Sequence, residues 1–473
     1  MNLRFDPGLI DSFKQEIKSI PGYPTGEELP VREMVFASNA LFRLPDLLSI
    51  GGARPEHPLL VVMDRTPMRR RAADLKAILL DVLRKSGWSP RPLWLEADAG
   101  GQVHTDFSQI EYVKTALNEQ TAVLSVGSGV VTDVSKHACY LFEHENKVHL
   151  PFIVYQTANS VSAYTSNMAP VFVDGVKRTL LSRYPDVLVC DLETLRDAPK
   201  EMTVAGVGDL LAAFSSYADW YLAYRLGLDP SYSGFAQTLM GPLDEIFLAC
   251  AQSIREKTLE GMEILAKLIS LAGIAMSLSH ATAPLSGYEH VISHLIDLFA
   301  ERDHQPLARH GTQVALATLL TTASYQSFVS EFEPEETNTS GCYPSTEQMK
   351  NQIEMVFAAI DPSGQVAAEC WADYRQKLDA WHANRPAFET FLRDWPNIRK
   401  TMEQLTRPPE LVMKILKSID SPIQFDQLTP PVSNERVKFS YLNASLIRKR
   451  FTLGDLLIFL NWNREALWGT LQS

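Results

Sequence analysis

Cysteine is scarce and unpatterned. Five residues, Cys139, Cys190, Cys250, Cys342 and Cys370, are scattered over 473 positions with no CxxC pair. An odd, dispersed set fits reduced thiols in a cytosolic protein better than a disulfide framework or a thiolate zinc site. A basic surface is missing too. Lys+Arg number 44 against 56 Asp+Glu, a formal net charge of −12, whereas a nucleic-acid-binding face needs a basic stripe. No nucleic-acid partner is expected. The opening MNLRFDPGLIDSFKQ lacks the apolar core of a signal peptide, so a cytoplasmic location is expected. Long apolar runs are few. The most hydrophobic window, ILAKLISLAGIAMSLS at 264–279, carries Lys267 and is short for a bilayer; it predicts a buried core helix, and no membrane span is expected. Internal repeats and low-complexity tracts are absent. So are GxGxxG and HExxH, which excludes the common dinucleotide fingerprint and the zincin motif.

What remains is an ordinary globular composition, 45% hydrophobic and 21% charged, in a chain long enough for two domains and a large core. Up to about residue 195, short β-branched runs alternate with helical patterns. HPLLVVMDR (57–65), RPLWLEA (91–97), TAVLSVGSG (121–129), PFIVYQT (151–157) and VLVCDLETL (187–195) read as strands. RRRAADLKAILLDVLRKSG (69–87) and FSQIEYVKTALNEQ (107–120) read as helices. That alternation predicts a parallel, doubly wound sheet, with ligands beyond the carboxyl ends of its strands. After 195 the period becomes helical over 204–226, 233–256, 257–280, 288–301 and 311–330. The acidic, proline-bearing 331–346 predicts a loop, 347–419 more helices, and 421–433 an irregular connection. The expected organisation is an α/β domain over 1–195 and an all-α domain over 196–473.

Two constellations carry chemistry. In GSGVVTDVSKHAC (127–139) closely spaced glycines follow a strand and open a helix. Such a loop can cradle a pyrophosphate on backbone N–H groups at the helix N-terminus, or it can simply be a tight turn. Asp64, closing an early strand, could accept from ribose hydroxyls or cap a helix starting near Pro67. Downstream, TVAGVGDLLAAF places Asp209 in an apolar helical stretch, LSGYEHVISH sets His290 and His294 four apart on one helical face, and His310 opens another apolar helix. A buried carboxylate needs a cation or several donors. An aspartate and two histidines from separate helices could hold a divalent metal with a position left open, and each histidine could equally be a hydrogen-bonded core residue.

GSGVVTDVSKHAC, TANSVSAYTSNMAP, KRTLLSRYPDVLVCDLETLRDAPKEMTVAGVGDLLA, SGYEHVISH and HGTQVA follow one another as in the sn-glycerol-1-phosphate dehydrogenases. The chain resembles that family, within the superfamily of iron-type alcohol dehydrogenases, glycerol dehydrogenases and dehydroquinate synthases, over about 55–330 and again at SLIRKRFTLGDLL (445–457). The resemblance implies a Rossmann-like NAD(P)-binding domain followed by a helical metal-binding domain. It implies Asp209, His290 and His310 as metal ligands and His294 as a substrate-facing, proton-handling histidine. It further implies that Asp64, Thr66, Gly127, Ser128, Gly129, Asp133, Thr157 and Tyr164 contact the nucleotide. Zinc is the favoured ion, with nickel or iron also suited. NAD is favoured over NADP, because Asp64 would repel a 2′-phosphate.

One departure bears on substrate. Where the family segment has Asp-Gly, this chain has Ser162 and Ala163, and Asn159 replaces a proline. Glycerol-1-phosphate is therefore expected to be a weak substrate. Lys177 and Arg178 could meet a substrate phosphate or form a solvated pair. The extended region 331–444 exceeds shorter family members. The expected activity is a metal-dependent, NAD(P)-linked dehydrogenase acting on a polyol phosphate or a related hydroxy or keto compound, in a chain compatible with a homo-oligomer. The alternatives are a dehydroquinate-synthase-like lyase or cyclase that recycles NAD, or a member that keeps the fold without turnover. Asp209 weighs against the cyclase, which uses glutamate as the acidic ligand.

Overall fold

The structure, a computed structural model, describes residues 3–472 except 99–100 and 174–175. It divides into two compact units, one formed by Met1–Val207 with Gly234–Ser279 and the other by Gly208–Ser233 with His280–Ser473. The division is not a single cut near 195, because residues 234–279 return to the first unit.

The first unit holds six parallel strands: β1 (Glu33–Ala37), β2 (Leu59–Met63), β3 (Pro90–Trp94), β4 (Ala122–Gly127), β5 (Phe152–Gln156) and β6 (Val187–Asp191), in the spatial order β1-β6-β5-β4-β2-β3. Every residue of β2, β4, β5 and β6 is buried, as continuous apolar runs in a sheet covered on both faces require. β3 closes one edge with Pro90 and Pro92, which offer no N–H to a further strand. Adjacent β2 and β4 are joined through edge strand β3, so the chain leaves the middle of the sheet in opposite directions from them. A crevice at such a reversal is where doubly wound sheets bind nucleotides. The register pairs Met63 with Val126, which sets Asp64 and the Gly127–Gly129 loop side by side at that point.

The four central strands coincide with sequence expectations to within a few residues. β1 and an antiparallel hairpin, Met168–Val173 with Val176–Leu181, were not expected. The helix predicted from residue 69 starts at Leu75, capped by the Asp74 carboxylate, which accepts from Ala77 N. Arg71 and Ala72 adopt positive φ of 48° and 65° in a small turn ahead of it. A cap of this kind satisfies an otherwise orphaned helix N–H.

The Leu259–Leu278 helix has a mean hydropathy of 1.6 and the length to cross a membrane, yet 83% of its apolar window is buried. It packs on the 159–167 segment of its own unit: Asn159 Nδ2 donates to the Met262 carbonyl (3.0 Å), Thr165 Oγ1 to that of Ser270 (2.8 Å), and Asn167 N to Ser277 Oγ (2.8 Å). A Cβ on Gly273 would lie 2.3 Å from Thr165 Oγ1, so only glycine permits this approach. The second unit is helical among the described residues. It includes Ala213–Arg225, Tyr288–Arg302, His310–Glu331, Gln365–Ala383 and Leu453–Phe459.

Candidate functional site

At the sheet reversal, the Gly129–Asn146 helix begins without a side-chain cap. Its first N–H groups have no intrahelical acceptor, and the positive end of an 18-residue helix favours an anion. The two glycines have packing reasons of their own. A Cβ on Gly127 would fall 2.4 Å from Val131 Cβ, and one on Gly129 would fall 2.5 Å from Val161 Cγ2. The loop is thus a close-packed turn that leaves the helix N-terminus without a side-chain cap. Thr157 is buried and donates its N–H to the Gly127 carbonyl at 3.2 Å, which ties the end of β5 to the loop; Ser128 is half-buried beside it.

Other predicted nucleotide residues are engaged within the protein. The Asp64 carboxylate accepts from Thr66 N (3.2 Å) and Thr66 Oγ1 (2.9 Å). Buried Lys76 stands 3.4 Å from the same carboxylate and donates to the Asp64 carbonyl at 2.6 Å. Asp64 caps no helix near Pro67. Asp133 pairs at 2.8 Å with Lys136, a fully buried lysine that also donates to the carbonyls of Ala163 (2.9 Å) and Ser166 (3.1 Å). That bridge locks the 163–166 turn onto the helix. Sequence reasoning missed Lys136, although DVSK spaces the two charges one helical turn apart. Tyr164 is completely buried, and its hydroxyl donates to the Ala158 carbonyl at 2.7 Å; it braces the loop from inside. Arg178 lies on the hairpin strand opposite Val171, and the side chain of Lys177 lies outside the described residues.

The helical unit brings Asp209, His290 and His310 together. Their donor atoms all lie within 4.8 Å of one another. His290 Nε2 is 3.5 Å and His310 Nε2 3.9 Å from Asp209 Oδ1. Two ligands of one tetrahedral zinc ion, each about 2.0–2.1 Å from it, sit about 3.3–3.4 Å apart. The observed spacing is slightly wider than a loaded site and too long for strong direct hydrogen bonds. Gly208 makes the convergence possible: a Cβ there would meet the Gly311 carbonyl at 2.2 Å, so the helix bearing Asp209 touches the helix bearing His310.

Both histidines are oriented from behind. Glu289, fully buried, lies 3.1 Å from His290 Nδ1 and accepts from Ser215 Oγ (2.8 Å) and from Gly287 N. Burial pushes the Glu289 carboxyl upward, but the hydrogen bond and charge of His290, with the Gly287 and Ser215 donors, outweigh it and hold the group below the usual carboxylate range. Burial likewise pulls His290 down, while Asp209 and Glu289 more than reverse this and raise it. Ser293 Oγ is 3.4 Å from His310 Nδ1. Each imidazole is contacted at Nδ1 and turns Nε2 toward Asp209, and behind His290 the contact is a carboxylate, the kind of partner that fixes the tautomer of a ligating histidine. Glu289 was legible in EHVISH only as a residue excluding HExxH.

Behind this centre lies Asp219. It accepts from Tyr288 N (2.7 Å), Leu453 N (2.7 Å) and the Tyr325 hydroxyl. Burial and the nearby Glu289 charge carry its pKa up to about 7 against those donors. His294 sits half-buried one turn along from His290. Its ring stacks on His310 with centroids 5.6 Å apart, and its Nδ1 lies 3.1 Å from Arg448 Nη2.

Residues 35–199 match the model of the iron-containing alcohol dehydrogenase family. The chain is 29% identical over 315 residues to the glycerol-1-phosphate dehydrogenase [NAD(P)+] of Bacillus subtilis, covering 65% of this chain and 76% of that protein. It is 31% identical to the protein of the same name from Bacillus velezensis, covering 53% of this chain and 62% of that one. Among solved structures, a probable glycerol dehydrogenase from Sinorhizobium meliloti superposes with a TM-score of 0.53 at 14% identity, covering 93% and 98% of the two chains. That likeness establishes the fold: a parallel-sheet unit with a helical unit, as the sequence predicted. The chain is thus similar to the iron-containing alcohol dehydrogenases over residues 35–199, and over longer stretches to proteins named glycerol-1-phosphate dehydrogenase.

Proposed function

We propose that this protein is a divalent-metal-dependent, NAD(P)-linked oxidoreductase that interconverts a hydroxyl and a carbonyl on a polyol phosphate or a related compound. The observation that carries this reading is the convergence of Asp209, His290 and His310 with Glu289 behind it. An aspartate and two imidazoles suit zinc, nickel or iron better than calcium or magnesium, and three protein ligands leave a coordination position open. The relatives' name, glycerol-1-phosphate dehydrogenase [NAD(P)+], supports the substrate class and the cofactor.

When bound, the ion supplies Lewis acidity at the substrate oxygen and the nicotinamide supplies the hydride step. The chain's own residues do the rest. Asp209, His290 and His310 fix the ion, and Glu289 and Ser293 hold the two rings. His294, beside both, is the group that holds or passes the hydroxyl proton. The uncapped helix start at Gly129 receives the pyrophosphate, and Asp64 receives a ribose hydroxyl. Asp64 favours NAD over NADP by repelling a 2′-phosphate, and Lys76 beside it narrows that preference.

The test follows NAD(P)H absorbance over a panel of polyol phosphates, polyols and hydroxyketones, with metal-replete and chelator-stripped protein. Turnover that disappears on stripping and returns with added metal is expected. Because Ser162 replaces the family aspartate, dihydroxyacetone phosphate should rank among the slower substrates. No turnover of any member of the panel, or turnover indifferent to the metal, would refute the reading.

A further inference from the structure

Ser215 and Asp219 lie one turn apart on the Ala213–Arg225 helix, and Thr321 and Tyr325 one turn apart on the His310–Glu331 helix, so each pair shares a face. The pairs meet as two rungs. Thr321 Oγ1 donates to Ser215 Oγ (3.0 Å), which donates to Glu289 Oε2 (2.8 Å). The Tyr325 hydroxyl donates to Asp219 Oδ1, and Asp219 Oδ2 accepts from Tyr288 N (2.7 Å). Both rungs end on the first turn of the Tyr288–Arg302 helix, which carries His290. That helix starts after Gly287, which has no side chain to cap it. Its first N–H needs an acceptor, and a carboxylate there also meets the positive end of the helix. Asp219 supplies one from 69 positions away. Its Oδ1 further accepts from Leu453 N (2.7 Å), the first N–H of the Leu453–Phe459 helix. One buried carboxylate thus joins four helices, two of which bear the histidines of the proposed metal site.

Gly287 lets two carboxylates close in. A Cβ there would fall 2.4 Å from Asp219 Oδ2 and 2.9 Å from Glu289 Oε2. Glu289 accepts from Gly287 N and Asp219 from Tyr288 N, so consecutive backbone N–H groups are held by two negative side chains. Buried carboxylates this near repel each other, and the donors to Asp219 are neutral groups, which makes this a costly way merely to tie helices together. What the arrangement supplies is geometry. It fixes where the His290 helix begins relative to the His310 helix, with Glu289, the group behind His290 Nδ1, in the same network. We propose that Asp219 is a positioning residue of the metal centre, which sets the separation of His290 and His310 through the start of the His290 helix and the Tyr325 hydroxyl. The inference rests on reading Asp209, His290 and His310 as a metal site.

The test is cobalt(II) loaded into the full chain for wild type, Asp219→Asn, Tyr325→Phe and Phe391→Leu, above the value of about 7 to which burial carries the Asp219 carboxyl. Asparagine keeps the shape but offers one acceptor oxygen, so either Tyr288 N or Leu453 N is left facing an NH2 group. The visible bands of bound cobalt, read at saturating metal, should shift from those of wild type. Chelator competition should show affinity about tenfold weaker, the lower end for partners standing behind a ligand. Tyr325→Phe unties only the His310 helix and should change bands and affinity in the same direction by less; it decides the matter if the asparagine variant fails to fold. Phe391→Leu, in the buried core of the same unit, should lower the unfolding temperature and leave bands and affinity as in wild type. Wild-type bands and affinity in Asp219→Asn, or in Tyr325→Phe where asparagine does not fold, would overturn the proposal. So would the same changes in Phe391→Leu. A wild type that takes up no cobalt would refute the metal reading itself, and the proposal with it.

Discussion

Glu289 is the residue on which the proposed metal site turns. Its carboxylate is charged despite complete burial, because His290, Ser215 and Gly287 all face it. With a metal ion bound, it would draw the His290 proton to Nδ1 and leave Nε2 as the lone-pair donor. Glu289→Gln keeps the shape but removes the charge, and should lower metal affinity about ten- to a hundredfold, as loss of such partners does. Competition with a chelator of known affinity measures it, and an unchanged affinity would show that Glu289 only packs. The histidines were legible because EHVISH and HG bring imidazoles into apolar helices, where they need a reason. Glu289 was not legible in that role, since Ser215, which holds it, lies 74 positions upstream. The same limit hid part of the role of Lys136 and Lys76, which beside the Asp133 and Asp64 carboxylates hold carbonyl oxygens that leave no mark in a residue pattern.

At the scale of elements, strand–glycine–helix was readable because a buried strand, a turn and an amphipathic helix each have their own period. Its purpose was not, because a glycine that admits a phosphate and a glycine that admits a valine look alike. The structure gives Gly129 the valine. Gly129→Ala would drive a Cβ to 2.5 Å from Val161 Cγ2, an overpacking that should cost about 1–3 kcal/mol and displace the start of the helix, weakening NAD binding with it. Val161→Ala leaves the new Cβ an ordinary 3.9 Å from Val161 Cβ, so the double variant should recover both stability and NAD affinity. Denaturant unfolding and NAD titration on the two variants check this. If Gly129→Ala alone is as stable as wild type, the packing account fails. β1 escaped sequence reading because EMVFA offers only a four-residue apolar run at a sheet edge. The hairpin at 168–181 escaped because Pro170 interrupts the pattern of its first strand and Lys177, Arg178 and Thr179 dilute that of its second.

For the whole molecule, the change from strand-period to helix-period sequence near 195 marked the transition in secondary structure, and the compact units follow a different line. The Leu259–Leu278 helix shows why: hydrophobic periodicity says that a helix is buried but not which core buries it. Its glycine and serines meet the 159–167 segment of the sheet-bearing unit, a fact that no local pattern carries. Metal-ligand chemistry, by contrast, is concentrated enough to survive this ambiguity, because Asp209, His290 and His310 converge within the helical unit alone. Elemental analysis of protein purified without chelators tests that convergence most directly, with His294→Ala as a neighbour outside the ligand set. About one zinc, nickel or iron ion per chain is predicted, lost in His290→Ala and His310→Ala and kept in His294→Ala. A metal-free protein that cannot be reconstituted, or a metal content unchanged in His290→Ala and His310→Ala, would contradict the account.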